Sequence, residues 1–269
     1  FIIPIWADFL SHIFPRKSRG HYLGISFAFN SVGGFFGGII VKILLNSSVP
    51  FPNNFGWGFI IMGVSMGLGV FIYLFYNVEN KLENTPHKTI ADFWHDTKMI
   101  IKTHENFKRY LLSRIFITAH FPAMSLYAVY TQELFGFKVS SAGIFIVLQV
   151  IAFGLGSILS GKFGDRWGHK TAITISFSGY LLAIMFTIFA TSMTHVYAIF
   201  LALGLGHGGF MPSAMNMVYE FAESRDSKTY MALIDTFLAP FVLLMIVSAS
   251  LLNPIIGTRN LFILSGILI

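Results

Sequence analysis

The chain alternates long apolar runs with short polar interruptions. Runs of about 20 apolar residues, the length needed to cross a bilayer, fall near 21–45, 55–76, 109–132, 140–160, 171–192, 196–219 and 229–252. A further run is already under way at Phe1 and ends near Ile13, and another begins near Asn260. Both end runs are too short to cross, and Phe1-Ile2-Ile3-Pro4 lacks the basic stretch that opens a signal peptide. The expectation is an all-α integral membrane protein, read as a fragment with sequence missing at both ends.

The interruptions carry charge in alternation. One set holds Arg16, Lys17 and Arg19; Lys81, Lys88, Lys98, Lys102, Lys108 and Arg109; Lys162, Arg166 and Lys170; and Arg225 with Lys228. The opposite set holds Lys138 and Arg259, with Lys42 near that end of its run and expected to snorkel to the surface. The positive-inside rule places the rich set in the cytoplasm. The longest interruption, about Asn77 to Lys108, divides the chain, and within it Ile90–Ile101 has apolar residues near helical spacing. That pattern predicts an amphipathic helix lying on the inner membrane surface. The expected parts are 1–76, the end of a first bundle; 77–108, a cytoplasmic linker; and 109–269, a second bundle with its last span truncated.

Composition supports this. Charged residues make up 11% of the chain and hydrophobic residues 55%, whereas a soluble domain carries about 25% charged residues. The net charge of +6 reads as topology, with no nucleic-acid partner expected. There is no Cys, so neither disulfides nor thiol chemistry are available. No phosphate-cradling glycine loop, clustered metal ligands or nucleophile–base pair is visible, so neither ATP drive, metal, cofactor nor enzyme activity is expected.

The densest polar motif is Gly161-Lys162-Phe163-Gly164-Asp165-Arg166-Trp167-Gly168-His169-Lys170, held between two apolar runs. A loop that tight leaves no room for a domain, so its charges must act on helix ends. Asp165 suits the positive N-terminus of a neighbouring helix, for which the helix starting near Lys228 is the candidate. Arg166 suits a carboxylate on an adjacent helix end, with Glu220 and Glu223 on the same membrane face. Through Gly161, Asp165, Arg166, Gly168 and Lys170 the motif resembles the loop signature of the major facilitator superfamily, with His169 where Arg or Lys is usual. The resemblance implies two pseudo-symmetric helical bundles, the first incomplete here. It also implies that this loop is a cytoplasmic latch whose breaking permits alternating access.

Pro4 through Ile25 can be laid on Pro212 through Leu233 without gaps, with Lys17 on Arg225 and Tyr22 on Tyr230. The two copies flank the linker, as parallel repeats do. In the family's numbering the chain then runs from the end of span four to the start of span twelve. Arg16–Gly24 resembles the Arg-Gly-containing turn after span four. Gly24, Gly33 and Gly37 partly match the antiporter signature of span five and are expected to allow close helix packing, although Gly38 replaces its Pro and Val41-Lys42 its final glycines. The sugar-porter signature is not visible at Phe14-Pro15-Arg16-Lys17.

Ionisable groups inside spans are functional suspects. His120 and His207 lie at one depth, near the midplane, beside Pro122 and beside Gly208, Gly209 and Pro212. By resemblance their spans, seven and ten, line the central cavity. The pair suits solute binding or proton coupling; a packing hydrogen bond is the alternative. Tyr127, seven residues from His120, shares its helix face, while Tyr130 and Gln149 are weaker candidates. Asp235 lies about 10 Å into its span and either carries protons or pairs with Arg114. The reading is a proton-coupled secondary transporter for a small solute, monomeric, in a bacterial inner membrane. An efflux antiporter and a non-transporting sensor are the alternatives.

Overall fold

A computed structural model describes residues 6, 10, 13–75, 89–138, 141–222 and 227–269. Glu223 of the expected latch, Arg225, and Pro4 and Asp8 of the repeat fall outside them. Among the described residues there is no strand. After a 3-10 turn at Arg16–Ser18 come α1 (Arg19–Asn46), α2 (Asn53–Tyr73), α3 (Ile90–Thr103), α4 (Glu105–Ile117), α5 (His120–Phe135), α6 (Ala142–Trp167), α7 (His169–Ile188), α8 (Met193–Ala222), α9 (Ser227–Ile256) and α10 (Thr258–Leu268). Six of these helices are long and apolar enough to cross a membrane.

The apolar run at 109–132 differs from expectation. It folds as two helices, α4 and α5, that meet at Thr118 and Ala119. Pro122 has no N–H to continue the ladder, and the Thr118, Ala119 and Phe121 N–H groups bond carbonyls three residues back. A tightened turn of that kind ends one helix and starts the next.

The helices pack in sequence α1 on α6, α6 on α8 and α8 on α7. One apolar cluster joins Leu23, Phe107, Leu111, Val218, Tyr230 and Leu233 at the end of the bundle bearing Arg16–Arg19, here the basic end. A second joins Tyr127, Phe145, Tyr180, Ile199, Leu203 and Phe262 towards the opposite end. By contrast α2 buries none of its described side chains, and Phe59, Met66 and Ile72 are exposed. Apolar all round and unburied, it has the surface of a helix solvated by lipid.

The expected amphipathic helix is α3. Its start is a capping box: the Asp92 N–H donates to Thr89 Oγ1 at 3.2 Å, and the Thr89 N–H donates to the Asp92 carboxylate at 2.8 Å. Ile100 is buried in the first cluster and Phe93 packs against it, while Ile90 and Trp94 remain exposed.

Candidate functional site

Two polar constellations stand out within this apolar frame. The first is at the basic end, where α6 gives way to α7 with one residue between them. That residue, Gly168, has φ of +89°, a conformation that side chains with a Cβ rarely adopt. Its N–H bonds the Gly164 carbonyl at 2.9 Å, closing α6. The chain therefore reverses within one residue and sets Asp165, on the last turn of α6, beside His169, on the first of α7.

Asp165 caps a helix, although not the one expected. Its two carboxylate oxygens accept the N–H groups of Gly20 at 2.9 Å and His21 at 2.8 Å, so it sits on the N-terminus of α1 and not on the helix near Lys228. Both the orphan N–H groups and the positive helix end favour the anion. The approach depends on Gly20 and Gly161. A Cβ on Gly20 would lie 2.5 Å from Asp165 Oδ1, and one on Gly161 would run into the Gly20 carbonyl oxygen. One turn on, a Cβ on Gly24 would meet the Ser157 carbonyl. The α1–α6 seam is thus a backbone contact across the two halves of the chain.

Gly33 and Gly37, expected to share that packing, do not: a Cβ at either meets nothing within 4 Å among the described residues. Nine residues at about 100° each turn Gly33 half-way round the helix from Gly24. Gly34 and Gly38 take the seam positions, against Val150 and Val147.

Arg166 also departs from expectation. It is exposed, its guanidinium lies 5.3 Å from the Trp167 ring centre, and it makes no ion pair with Glu220, itself exposed. Lys170 is exposed as well. The guanidinium that does cross between the halves is that of Arg19, 4.7 Å from the Tyr219 ring centre on α8.

His169, the departure from the family pattern, is buried inside the contact. Its Nε2 lies 3.5 Å from Asp165 Oδ1 and its Nδ1 lies 3.3 Å from Ser213 Oγ on α8. Ser213 Oγ is 2.7 Å from Ser160 Oγ, and Ser160 donates to the Gly209 carbonyl. A polar chain thus runs from the N-terminus of α1 through α6 and α7 into α8.

The second constellation is deeper. Tyr180 of α7 stands between the two histidines: its hydroxyl is 3.1 Å from His207 Nδ1, and its ring packs against His120 with centroids 4.6 Å apart. His120 Nδ1 is also 2.5 Å from the Ile117 carbonyl, at the break between α4 and α5. The ring donates to an acceptor at the end of α4. His207 additionally faces Phe153. Tyr127, on the same face as His120, is fully buried against Phe262 with ring centres 4.7 Å apart. Arg114 makes no ion pair with Asp235, although its charge is within reach of that carboxyl. It donates to the Tyr110 hydroxyl at 3.0 Å and lies 4.7 Å from the Phe210 ring centre, while Asp235 is exposed on α9.

Between the constellations α8 carries Gly206, Gly208, Gly209 and Pro212 in adjoining turns. Pro212 has no N–H to give the Gly208 carbonyl four residues back. Ser157 Oγ lies 3.0 Å from that carbonyl and 2.8 Å from the Phe153 carbonyl of its own helix, so α6 offers one hydroxyl proton shared between the two carbonyls. Tyr180, Ser157, Ser160 and Ser213 were not singled out from the sequence. Only Ser157 had a signal there, a hydroxyl helix facing a proline-interrupted one.

Comparison with known proteins matches the profile described as Major Facilitator Superfamily to residues 1–145 and 110–269, together the whole chain. The chain belongs to the Major Facilitator Superfamily. It is an all-α, multi-pass integral membrane protein with that fold. It is 27% identical over 128 residues to the niacin transporter NiaP of Acinetobacter baylyi, covering 48% of this chain and 29% of the relative. It is 26% identical over 218 residues to the class H tetracycline resistance protein of Pasteurella multocida, covering 74% of this chain and 48% of the relative. With the 4-hydroxybenzoate transporter PcaK of Pseudomonas aeruginosa it shares 27% over 150 residues, 54% of this chain and 33% of the relative. Each match thus covers less than half of the relative's own length. In this superfamily chain the Asp-Arg loop holds the start of α1.

Proposed function

We propose that this chain is part of a secondary active transporter, and not of an enzyme, that moves a small solute by alternating access, with proton coupling. The observation that carries the proposal is the Asp165 carboxylate of the second half closed on the N-terminus of α1 in the first. That contact exists only while the two helix ends are together. It therefore favours the state closed at the basic end, which the charge alternation assigns to the cytoplasm, and breaks when that end opens. Two of the relatives are named as transporters and the third as a resistance protein, in keeping with solute movement. His120, Tyr180 and His207 are the proposed proton path: three ring-bearing polar groups meeting near the break in the run at 109–132. The proposed setting is a monomer in a bacterial inner membrane.

The test is uptake of a solute panel into proteoliposomes made with the full-length protein, with and without an inward proton gradient. At least one solute should accumulate, and faster with the gradient. Ligand-induced conformational change with no flux of any solute would replace the transporter by a sensor. Flux indifferent to the gradient would remove the proton coupling alone.

A further inference from the structure

We propose that His169 is a proton-binding site whose occupancy is linked to closure of the basic end. The inference goes beyond the His120–His207 path, and it rests on the reading of Asp165 as the closing contact.

The argument is a count of protons. A carbonyl oxygen only accepts, and each serine hydroxyl carries one proton. Ser160 gives its proton to the Gly209 carbonyl. The 2.7 Å contact between Ser160 and Ser213 then needs the proton of Ser213. With that proton used, Ser213 Oγ faces His169 as an acceptor at 3.3 Å, so Nδ1 must carry a hydrogen. On the other side of the ring, Nε2 faces Asp165 Oδ1 at 3.5 Å. That is an ion-pair distance, and a carboxylate accepts only, so it favours hydrogen on Nε2 as well. A ring with hydrogen on both nitrogens is the imidazolium.

Either neutral form leaves a mismatch. With hydrogen on Nδ1 alone, the Nε2 lone pair faces the carboxylate. With hydrogen on Nε2 alone, Ser213 must turn its proton to Nδ1, and one of the two Ser160 contacts is left with no proton between two acceptors. Only the charged ring turns a hydrogen to both partners in the closed geometry.

The surroundings make that charge reversible. Burial opposes it, as do the positive N-termini of α7, where His169 is the first residue, and of α1, whose Gly20 abuts the ring. Asp165 supplies the counter-charge. The other charged or titratable groups of the packed elements at this end are Arg19, His21 and Tyr22 of α1, Lys162 and Arg166 of α6, Tyr219 and Glu220 of α8 and Lys170 of α7 itself. Of these, Arg19 is turned onto Tyr219, and Lys162, Arg166 and Lys170 are exposed. An Arg or Lys in place of His169, the usual residue in the family pattern, would be charged at every working pH. Histidine makes the same contact conditional.

The sign follows. The proposal requires that pairing with Asp165 outweigh burial of the ring; the closed state then holds the proton, and acid favours closure. As pH rises, the closed-to-open ratio falls by at most about tenfold per unit, the limit for one linked proton. The experiment places spin labels at Lys17 and Lys162, both exposed, in the full-length protein in nanodiscs. Distance distributions are recorded across pH for the parent, His169→Lys, His169→Gln and Asp165→Asn. The parent should open as pH rises, His169→Lys should stay closed throughout, and His169→Gln should lose the pH step. A pH step that persists in His169→Gln overturns the proposal. If Asp165→Asn keeps the parent's distances at every pH, the latch reading falls and this proposal with it. Should His169→Gln fail to fold, ring nitrogen-15 shifts of His169 in the parent decide the matter: imidazolium in the closed state supports the proposal, and a neutral ring there overturns it.

Discussion

Substituting Gly161 by Ala tests whether the seam of α1 and α6 and the Asp165 cap are one device. The added Cβ would run into the Gly20 carbonyl oxygen, with the Gly20 carbonyl carbon at 2.9 Å and Gly24 Cα at 3.3 Å. All three obstacles belong to the backbone, and no side-chain rotation relieves them. Carbon and carbonyl oxygen settle no closer than about 3.3 Å, so the helices must part by something on the order of 1 Å. Asp165 sits one turn along α6 from Gly161, with its bonds to α1 at 2.9 and 2.8 Å. Lengthened by that much, both leave hydrogen-bonding range. Bonds to a charged group contribute about 1.5–3 kcal/mol each. Asp165 is half-buried and can turn to water, so the lower end applies: about 3 kcal/mol, or roughly 150-fold in the closed-to-open ratio. The assay is the distance between spin labels on α1 and α6 in the full-length protein, with thermal unfolding as a control for folding. Because both changes remove the same two bonds, Gly161→Ala combined with Asp165→Ala should open the basic end little further than either alone. Additive opening, or a Gly161→Ala protein with the parent's distances, would refute the argument.

Two further outcomes are expected. Ser157→Ala removes the donor to the Gly208 carbonyl, leaving a buried acceptor unsatisfied at a cost of about 1–3 kcal/mol; thermal unfolding in detergent should drop accordingly, and an unchanged transition would mean that the carbonyl finds another donor. Tyr180→Phe keeps the ring against His120 but loses the 3.1 Å bond to His207, so uptake driven by a proton gradient should fall while solute exchange without a gradient persists; an equal loss of both would point to packing damage.

Much of the framework was legible in the chain. Outside the run at 109–132, apolar runs of bilayer length gave most helix ends to within a few residues, because a helix in lipid must satisfy its backbone internally and has little freedom of length. The break at Thr118 was announced by Pro122 but its position was not, since a proline says only which carbonyls lose a donor. Asp165 as a helix-end anion followed from charge beside a tight turn; its partner helix did not. Choosing α1 over α9 depends on which backbones approach closely, and Gly20 and Gly161 are 141 residues apart. The absence of Gly33 and Gly37 from this seam has the same origin. Density of glycine is visible in the sequence, but the seam follows the row at three- and four-residue spacing, which selects Gly34 and Gly38. Arg114 and Asp235 looked like partners by depth. Depth fixes one coordinate of two: Arg114 is within reach of Asp235 by charge, but the direction around the helix sets its guanidinium on Phe210.

The placement of the two constellations on α8 bears on how they communicate. His207 meets Tyr180, the Gly208 and Gly209 carbonyls meet Ser157 and Ser160, and Ser213 meets His169. From His207 to Ser213 is six residues, about 9 Å along a helix. Within that length α8 has no side chain on its glycines to lock its own packing and lacks one ladder bond at Pro212. Its carbonyls are held instead by hydroxyls of α6. A stretch held from outside in this way bends more easily than a continuous helix, since its bonds are not all internal. Any movement of α8 at His207 must therefore be absorbed between Gly208 and Pro212 or passed to Ser213, and Ser213 is the contact that fixes the proton on His169 Nδ1. The deep histidine pair and the basic-end latch thus share one deformable segment, and they do so without a continuous chain of charged groups between them.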